Sequence, residues 1–269
     1  MRGAPAWAFL AATFSLAAQD PAAAQGALTR EAVQDRLSKT TGSTPDLSGL
    51  DLRRLDLCGL DFRQANLTKA KLDSANLSGA KLFAVDLTDA TATGADLSKA
   101  NLDGSTLRRA NLQHANLRGA SLFATIVEAA DLSEADLRDT RIIGYLKAAK
   151  LKGTNLQNAN IGADPGNQSM GVMRAQFGSA DCSGADFTGA NLFKADFGYA
   201  KLIGAKLVNA DLRNAEMVQA DLTEADVTGA DVGSADLNGT IFTKAKGVSA
   251  LKGLDQARNK DKAVFDERN

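Results

Sequence analysis

The sequence predicts an all-β solenoid, in which one chain winds into stacked coils around an apolar axis. The first observation is a five-residue repeat. It runs from Ala65 to Leu122. Each repeat consists of a small residue, then Asp, Asn or Lys, then usually Leu, and then two mostly polar residues. The second is that a period of five fits neither a regular helix nor a flat strand. Five residues turn an α-helix by about 500°, which would spread the leucines over all of its faces, and an odd period on a strand would point successive leucines to opposite faces. The third is glycine among the variable residues, which suits turns.

We call the Leu position the centre of a phrase, and the two residues after it the first and second corner positions. The small residue and the centre are two apart, so their side chains point the same way in an extended segment. If the chain turns at every corner, each pair points inward again and the coils enclose Leu and Ala. Leu117 is therefore expected inside, stacked between Leu97 and Leu137, whereas Arg118 is expected to face water.

The phrase closely resembles that of the pentapeptide-repeat family, A-(D/N)-L-x-x, from Asp46 to about Phe242. The resemblance implies a right-handed quadrilateral β-helix, in which four phrases make one coil. Columns of residues 20 apart agree with four sides, because they mostly avoid stacking like charges. Three such columns are Asp186, Lys206, Asp226, Lys246; Asp56, Asn76, Asp96, Asn116, Asp136; and Asp181, Lys201, Asp221. The rule is imperfect, because Asp211 falls on Asp231 and Glu216 falls on Asp236.

The N-terminal residues 1–24 predict a secretory signal peptide. Arg2 supplies a positive start, residues 4–18 form an apolar core, and residues 22–24 match a small-residue cleavage site. The apolar run is too short for a comfortable transmembrane helix. We therefore expect an exported protein, periplasmic or secreted, without membrane insertion. A disordered alanine-rich tail or an uncleaved anchor is the alternative.

Residues 25–45 predict a helical cap at the N-terminal end of the solenoid. Thr29 can cap the helix, Glu31 lies in its first turn, and Val33 and Leu37 share one side. A solenoid needs such a cover because its first coil exposes unpaired strand edges. A partner-binding helix is the alternative interpretation.

The repeat is predicted to form two blocks separated by a loop. The first block covers residues 46–163, and a step of four between centres predicts the loss of one corner residue near residues 143–146. Residues 164–174 have no repeat and contain Pro165, which indicates an inserted surface loop. The second block covers residues 175–244.

The last segment, residues 245–269, loses the period and predicts a C-terminal cap. Residues 248–258 are compatible with a short helix that turns Leu251 and Leu254 inward, and Phe265 can be the centre of one last phrase. In some cytosolic members of the family the C-terminal helix makes a dimer. A homodimer through this cap is therefore an alternative.

The pattern predicts no catalytic, cofactor or metal site. His114 lies at a corner without an evident nucleophile or metal partner. Cys182 is at a centre and is expected to be buried, whereas Cys58 is at a first corner position and is expected outside. The two thiols are too many coils apart for an internal disulfide, although an intermolecular bridge through Cys58 is conceivable. The carboxylates are so abundant that a chance pair of them carries no signal.

One outward column suggests a partner surface. Its first corner positions carry Phe83, Asp103, Phe123 and Ile143, and Tyr145 follows at the register slip. Exposed aromatic residues are notable in a chain with only 5% aromatics. The inserted loop adds apolar residues that suit a binding element, namely Met170, Val172 and Met173. The alternatives are scattered surface apolar residues for the column and, for the loop, side chains that fold back over the wall.

The predicted function is a non-enzymatic structural or protein-interaction scaffold of the bacterial cell envelope, with an unknown protein partner. Some family members resemble duplex DNA and bind DNA gyrase, a role that requires a strongly acidic surface and a cytosolic location. This chain has 31 Lys and Arg against 32 Asp and Glu, a net charge of −1, and the predicted signal peptide. The DNA-mimic alternative is therefore disfavoured. No basic patch or phosphate loop indicates a nucleic-acid partner.

Overall fold

The computed structural model describes residues 28–39, 44–163 and 173–266. Its regular elements are few. They are helix α1 (Arg30–Lys39), strands β1 (Ser121–Ile126) and β2 (Arg141–Tyr145), and three 3-10 helices at Val248–Ala250, Leu254–Gln256 and Lys260–Lys262. The predicted signal peptide lies outside the described residues.

The coils are held together by parallel pairing between equivalent positions of successive coils. Asp46 pairs with Asn66, and Asn66 pairs with Asp86. Centre N–H groups donate to the next coil, as from Leu47 to the Asn66 carbonyl oxygen at 2.8 Å. Each side is so short that most pairings are single bridges, and among the described residues only β1 and β2 form a continuous parallel pair. The predicted coil of four phrases is confirmed.

We number the four sides by their first centres: side 1 begins at Leu47, side 2 at Leu52, side 3 at Leu57 and side 4 at Phe62. All four of these centres are fully buried. A narrow cavity of ≈ 10 Å³ runs between leucine centres of the early coils. That volume is about one water molecule, so the axis is a packed core and not a ligand site.

The core changes character where the second block begins. Phe177 and Phe197 stack on side 1, with ring centroids 4.7 Å apart and planes 12° apart. Phe187 meets both from side 3, edge to face, at 6.2 and 6.0 Å. Aromatic packing of this kind contributes beyond the area that it buries. The second block therefore begins on a phenylalanine cluster in place of leucine layers.

The Asp or Asn before each centre has a structural task at the corner. Its side-chain oxygen accepts the N–H of the first corner residue, as Asn116 Oδ1 does from Arg118 at 3.1 Å. This bond, an Asx turn, satisfies a backbone donor that the coil leaves unpaired. The next residue adopts a left-handed conformation, for instance His114 with φ 58°, which follows the corner made by Asn111. The phrase therefore encodes its own turn.

The same Asp and Asn side chains also bond along the predicted columns. Asn76 Nδ2 donates to Asp56 Oδ1 at 2.9 Å, and Lys206 Nζ lies 3.7 Å from Asp186 Oδ2. The stacking of Asp211 on Asp231 is relieved by Arg213, which lies 2.7 Å from the first carboxylate and 3.9 Å from the second.

Helix α1 covers part of the open N-terminal end. Val33 is fully buried and belongs to the core. The Arg30 guanidinium donates to the carbonyl oxygens of Asp56 at 2.7 Å and Cys58 at 2.9 Å, on side 3 of the first coil. The hydroxyl of Thr29 accepts the N–H of Ala32 at 3.3 Å, as expected of a helix cap.

The register changes twice on the way to the second block. Asp131 pairs with Lys150, one position short of the regular spacing, which confirms the predicted loss of one residue. Tyr145 then pairs with Gln176, so more residues lie between these two partners than in a regular coil. Most of the predicted loop, residues 164–172, lies outside the described residues.

In place of one short helix over residues 248–258, the structure has two separate 3-10 helices, with a third at Lys260–Lys262. Asp226, Asp231, Asp236 and Ile241 pair with a further coil, at Lys246, Lys252, Arg258 and Val264 respectively. Those partners are six residues apart, so each side has one extra residue, which the three 3-10 helices accommodate. Each 3-10 helix follows a left-handed residue, Gly247, Gly253 or Asn259, that prevents a continuous helix. The expected last phrase is present, since Phe265 stacks on Phe242 at 5.0 Å.

Candidate interaction surface

The corner that follows side 4 collects aromatic side chains from separate coils. Gly104 N–H donates to the Phe123 carbonyl oxygen at 2.8 Å, and Gln64 N–H donates to that of Phe83 at 2.9 Å. These bonds stack the first corner positions into one edge, which we call the side-4 edge. Phe83 is 45% exposed. Asp103 lies between Phe83 and Phe123, and its Oδ1 accepts the Phe123 N–H at 2.9 Å.

The side-4 edge continues beyond the inserted loop, which the sequence analysis missed. Asn160 pairs with Asn191, and Ala163 N–H donates to the Phe193 carbonyl oxygen at 2.8 Å. Phe193 therefore stands in the column of Phe83 and Phe123. Phe193 is not found by looking for aromatic residues every 20 positions, because the step across residues 162–176 is longer than a regular coil. It is found when whole phrases, and not residues, are counted across this stretch.

Cations of this chain cover two of the three rings. The Arg141 guanidinium carbon lies 4.4 Å from the centroid of Phe123, and Lys194 Nζ lies 5.2 Å from that of Phe193. Such contacts satisfy the negative face of a ring. Phe83 has no such cation in the part of the chain that the structure describes. Of the three rings, Phe83 is therefore the one whose face carries no stacked cation among the described residues; we call this its open face.

The expectation for Ile143 is wrong, because its side chain is 2% exposed. The missing corner residue lets β2 run straight through this position. Phe123 pairs with Ile143 and Thr125 pairs with Gly144, with a bulge at Ala124 between them. Tyr145, at the end of β2, is 44% exposed. The structure therefore keeps Tyr145 on the surface and removes Ile143 from it.

The loop residues predicted to bind a partner are mostly not described. Met170 and Val172 lie outside the described residues. Met173 is half-buried at the base of the loop. The next residue, Arg174, lies 2.7 Å from Glu216 and 3.5 Å from Asp196. The hydrogen bond between Arg174 and Glu216 raises the pKa of the arginine and lowers that of the glutamate.

A groove of ≈ 990 Å³ lies between α1 and the start of the side-4 edge. Its lining mixes apolar and polar side chains from the helix, from the entry to the first coil and from side 4. These residues are Gln34, Leu37, Ser38, Thr44, Pro45, Gly59, Leu60, Asp61, Arg63, Gln64 and Phe83. The open face of Phe83 thus continues into a concave surface.

A second groove, of ≈ 630 Å³, lies on the second block. It is polar throughout and is lined by Arg174, Lys194, Asn214, Glu216, Ser234 and Arg258. Arg174 and Glu216 pair with each other, and Arg258 lies 4.0 Å from Asp236. Most charged side chains of this second groove are therefore already in ion pairs within the chain.

The thiols take the positions that the phrase predicts. Cys58 is exposed, with the Ser78 hydroxyl 3.3 Å from its sulfur, and Cys182 is buried. Burial raises the pKa of the Cys182 thiol, which keeps it protonated and unreactive. Within the described ranges, no group of three His, Cys, Asp or Glu side chains is placed to hold a metal ion. No helix there has the length and apolarity that a membrane crossing needs.

Solved structures of pentapeptide repeat proteins are similar to this chain. HetL, a pentapeptide repeat protein involved in heterocyst differentiation regulation from Nostoc sp. strain PCC 7120, is similar at 27% identity. The match covers 82% of this chain and 90% of HetL, with a TM-score of 0.41. A pentapeptide repeat protein of the Arabidopsis thaliana thylakoid lumen is 28% identical over 46% of this chain and 70% of its own, with a TM-score of 0.29.

QnrB1, a plasmid-mediated fluoroquinolone resistance protein, is 17% identical over 78% of this chain and 90% of its own, with a TM-score of 0.38. No curated protein sequence matches the chain. The family model for pentapeptide repeats matches in 8 copies, over residues 46–82, 86–122, 173–207 and 205–243. These ranges cover more than half of the chain, which therefore belongs to the pentapeptide-repeat family.

Proposed function

We propose that this protein is a non-enzymatic protein-interaction scaffold of the bacterial cell envelope. The observation that carries the proposal is the side-4 edge, where phenylalanines far apart in sequence stand on one corner of a stacked wall. Large exposed aromatic residues are typical anchors of protein interfaces. A right-handed quadrilateral β-helix presents such anchors on a rigid rod.

The carboxylates of the wall support a scaffold over an enzyme, because their hydrogen bonds and ion pairs are structural. Asp136 accepts the Arg138 N–H at 3.1 Å and pairs with the guanidinium of the same residue at 2.5 Å. These contacts lower the pKa of Asp136, mainly through the hydrogen bond from the Arg138 side chain. A general acid at neutral pH needs the opposite shift.

The charge pattern also supports a protein partner over a DNA-mimic role. Duplex DNA carries one negative phosphate charge for about every 1.7 Å of its axis. Here the carboxylates of the wall alternate with Lys and Asn or lie beside Arg, as Asp211 and Asp231 lie beside Arg213. We expect no inhibition of gyrase supercoiling and no protection from quinolones by stoichiometric protein. Either effect would reinstate the DNA-mimic alternative.

Export is part of the proposal and rests on residues 1–24. We expect cleavage after Ala24, which leaves Gln25 as the mature N-terminus. Mass spectrometry of the protein from the exported fraction tests this expectation. A full-length protein in the cytosol would contradict the envelope location.

The partner surface is tested by affinity capture from the exported fraction. The bait is the protein with Phe83→Ala and Tyr145→Ala, compared with the unchanged protein. Tyr199→Ala is the matched control, since Tyr199 is 61% exposed on another corner. We expect the double substitution to lose a partner that the control retains. Equal capture by all three baits would contradict the proposed surface.

A further inference from the structure

The last coil, residues 246–264, leaves backbone donors of the preceding coil without partners. At a regular corner the N–H of the second corner residue donates to a carbonyl oxygen of the next coil, as Gln219 N–H does to Asn238 at 2.9 Å. The equivalent donors one coil later are the N–H groups of Gly229, Ser234 and Gly239. Among the described residues these three groups make no hydrogen bond. The bond that joins regular corners is therefore missing at three corners in succession.

The expected acceptors are engaged inside the 3-10 helices of the last coil. The carbonyl oxygens at the matching positions belong to Val248, Leu254 and Lys260, the first residues of the three helices. Each of them accepts the N–H of the residue three positions later, at 3.2 Å. The extra residue on each six-residue side therefore closes a local turn and withdraws the acceptor from the coil before it.

One of the three free N–H groups follows an asparagine. Gly239 comes directly after Asn238, in the only asparagine–glycine pair of the chain, whereas the other two groups follow a threonine and a glycine. The backbone nitrogen after an asparagine can close a five-membered ring on the side-chain amide carbon. Glycine leaves that nitrogen uncrowded because it has no side chain. Both residues are partly exposed, so water has access to the corner.

We propose that Asn238 is a site of spontaneous deamidation. The Gly239 nitrogen gives up its proton and bonds to Cγ of Asn238, while the bond from Cγ to Nδ2 breaks and the amide nitrogen leaves as ammonia. The product is a succinimide ring. Water then adds to one of the two ring carbonyl carbons and breaks its bond to the ring nitrogen. Attack at Cγ gives aspartate, and attack at the backbone carbonyl carbon gives isoaspartate. One water replaces one ammonia, so no oxidant, cofactor or enzyme is needed.

A regular corner shows why the reaction is confined to this place. Asp103–Gly104 is the only aspartate–glycine pair and could close the same ring with loss of water. There the Gly104 N–H donates to the Phe123 carbonyl oxygen at 2.8 Å. The Asp103 carboxylate in turn accepts the Ser121 hydroxyl at 2.6 Å and the Phe123 N–H at 2.9 Å. Both reacting groups are therefore held by the next coil, whereas the Gly239 nitrogen is not.

The products should loosen the corner that carries the last coil. The Asn238 carbonyl oxygen accepts the Gln219 N–H, and the Asn238 N–H donates to Asp236 Oδ1 at 3.1 Å. Isoaspartate routes the backbone through the side chain and moves that carbonyl group. Either product also adds a negative charge beside the column in which Glu216 pairs with Asp236. We expect the isoaspartate form to unfold at a lower temperature than the unmodified protein.

The direct test incubates the full chain in mildly alkaline buffer and follows it by peptide mapping and mass spectrometry. We expect the folded protein to convert the Asn238 amide to an acid, with isoaspartate among the products, while its other asparagines persist. Asn238→Gln should abolish the conversion, because its longer side chain cannot form the five-membered ring.

A matched pair of substitutions tests whether the free N–H is the cause. Thr188 and Thr228 both precede a glycine on side 3, and both donate their N–H to an aspartate, at 3.0 and 3.1 Å. Gly189 N–H donates to the Val208 carbonyl oxygen at 2.9 Å, whereas Gly229 N–H makes no bond within the described chain. We expect the new asparagine of Thr228→Asn to deamidate about tenfold faster than that of Thr188→Asn, since only the latter nitrogen must first break a hydrogen bond. In concentrated urea the two rates should become equal.

Two results would overturn the proposal. One is an Asn238 amide that persists in the folded chain over the time in which the urea-unfolded chain loses it, a comparison that needs no variant. The other is an equal rate for the two threonine variants while both are folded, as judged by thermal unfolding. If either variant fails to fold, the comparison of folded and unfolded unchanged protein decides.

Discussion

The chain turns in two ways: at regular corners, which have two residues after the centre, and at the shortened corner Ile143–Gly144 near the end of β2. At a regular corner such as Gln113–His114, the second residue adopts a left-handed conformation, and many residue types occupy that place. At Ile143–Gly144 one residue is missing and Gly144 is not left-handed. The strand instead passes so close to β1 that a Cβ on Gly144 would overlap the Thr125 carbonyl oxygen. A left-handed corner glycine such as Gly104 is therefore replaceable, whereas Gly144 is not, although its φ is not left-handed.

The largest expected effect tests this contrast directly. Gly144→Ala should destabilise the protein by about 4 kcal/mol or more, because backbone atoms must move to relieve the overlap. Gly104→Ala is the control, with φ +68° and nothing nearer to its added Cβ than Phe83 at 3.9 Å. It should cost about 1 kcal/mol. Urea denaturation of the two variants decides the matter, and equal losses would break the comparison.

The next effect concerns the interior of the regular coils. Leu117 is fully buried, with Leu97 at 2% and Leu137 at 0% exposure in the coils on either side. Leu117→Ala should leave a cavity and cost about 3 kcal/mol in the free energy of unfolding. Leu117→Asp should cost more, since it buries an unpaired charge. Chemical denaturation that shows less than about 1 kcal/mol for Leu117→Ala would contradict a closed core.

A smaller effect concerns the hydrogen-bond acceptor at a regular corner. Most corners use the Asp or Asn of their own phrase as this acceptor, whereas some use a carboxylate of the preceding coil. The phrase at Thr91 lacks an Asp or Asn, and Asp73 of the preceding coil accepts the Thr93 N–H at 3.0 Å and the Thr91 hydroxyl at 2.6 Å. Asp73→Ala should cost about 1 kcal/mol, because the corner loses its acceptor. Asp73→Asn should cost less, since its amide oxygen can still accept. Urea denaturation ranks the two variants, and an equal loss for both would contradict the role of the acceptor.

The same residue gives a pH dependence. Burial alone would raise the pKa of Asp73, but the hydrogen bonds from Thr91 and Thr93 outweigh it and lower the pKa. The ionised carboxylate therefore stabilises the fold above its unfolded pKa of about 3.9, and this contribution is lost as the pH falls through the lower folded value. Denaturation at pH 7 and pH 3 should show the gap between the unchanged protein and Asp73→Asn narrowing in acid. A gap that widens in acid would reverse the assigned sign.

The smallest effect is expected one residue from the core position. Arg118 faces water beside Leu117 and contacts Asp139 at 3.1 Å, with 57% of its side chain exposed. Exposed ion pairs contribute little, so Arg118→Ala should change the free energy of unfolding by less than about 0.5 kcal/mol. A loss comparable to that of Leu117→Ala would mean that centre and corner positions are not distinct.

The sequence by itself determined the parts of the fold that depend on one repeated phrase. The five-residue period, the buried centres, the outward corners, the coil of four phrases and the lost residue near Ile143 follow from local pattern. They do so because every coil repeats the same contacts, and one correct phrase therefore predicts its neighbours. The alternating column from Asp56 to Asp136 was predictable for the same reason.

The tertiary structure alone decided what happens where the repeat changes length. Ile143 becomes buried because the missing corner residue extends β2, and Phe193 joins the side-4 edge because Asn160 pairs with Asn191 in the next coil. Residues 246–264 form a coil of six-residue sides, not an α-helix, because they pair with the coil below. Whether a ring keeps an open face depends on which cations stack beside it, as Arg141 does on Phe123 and none does on Phe83 in the described chain. These outcomes depend on contacts between coils, which the spacing of one phrase does not encode.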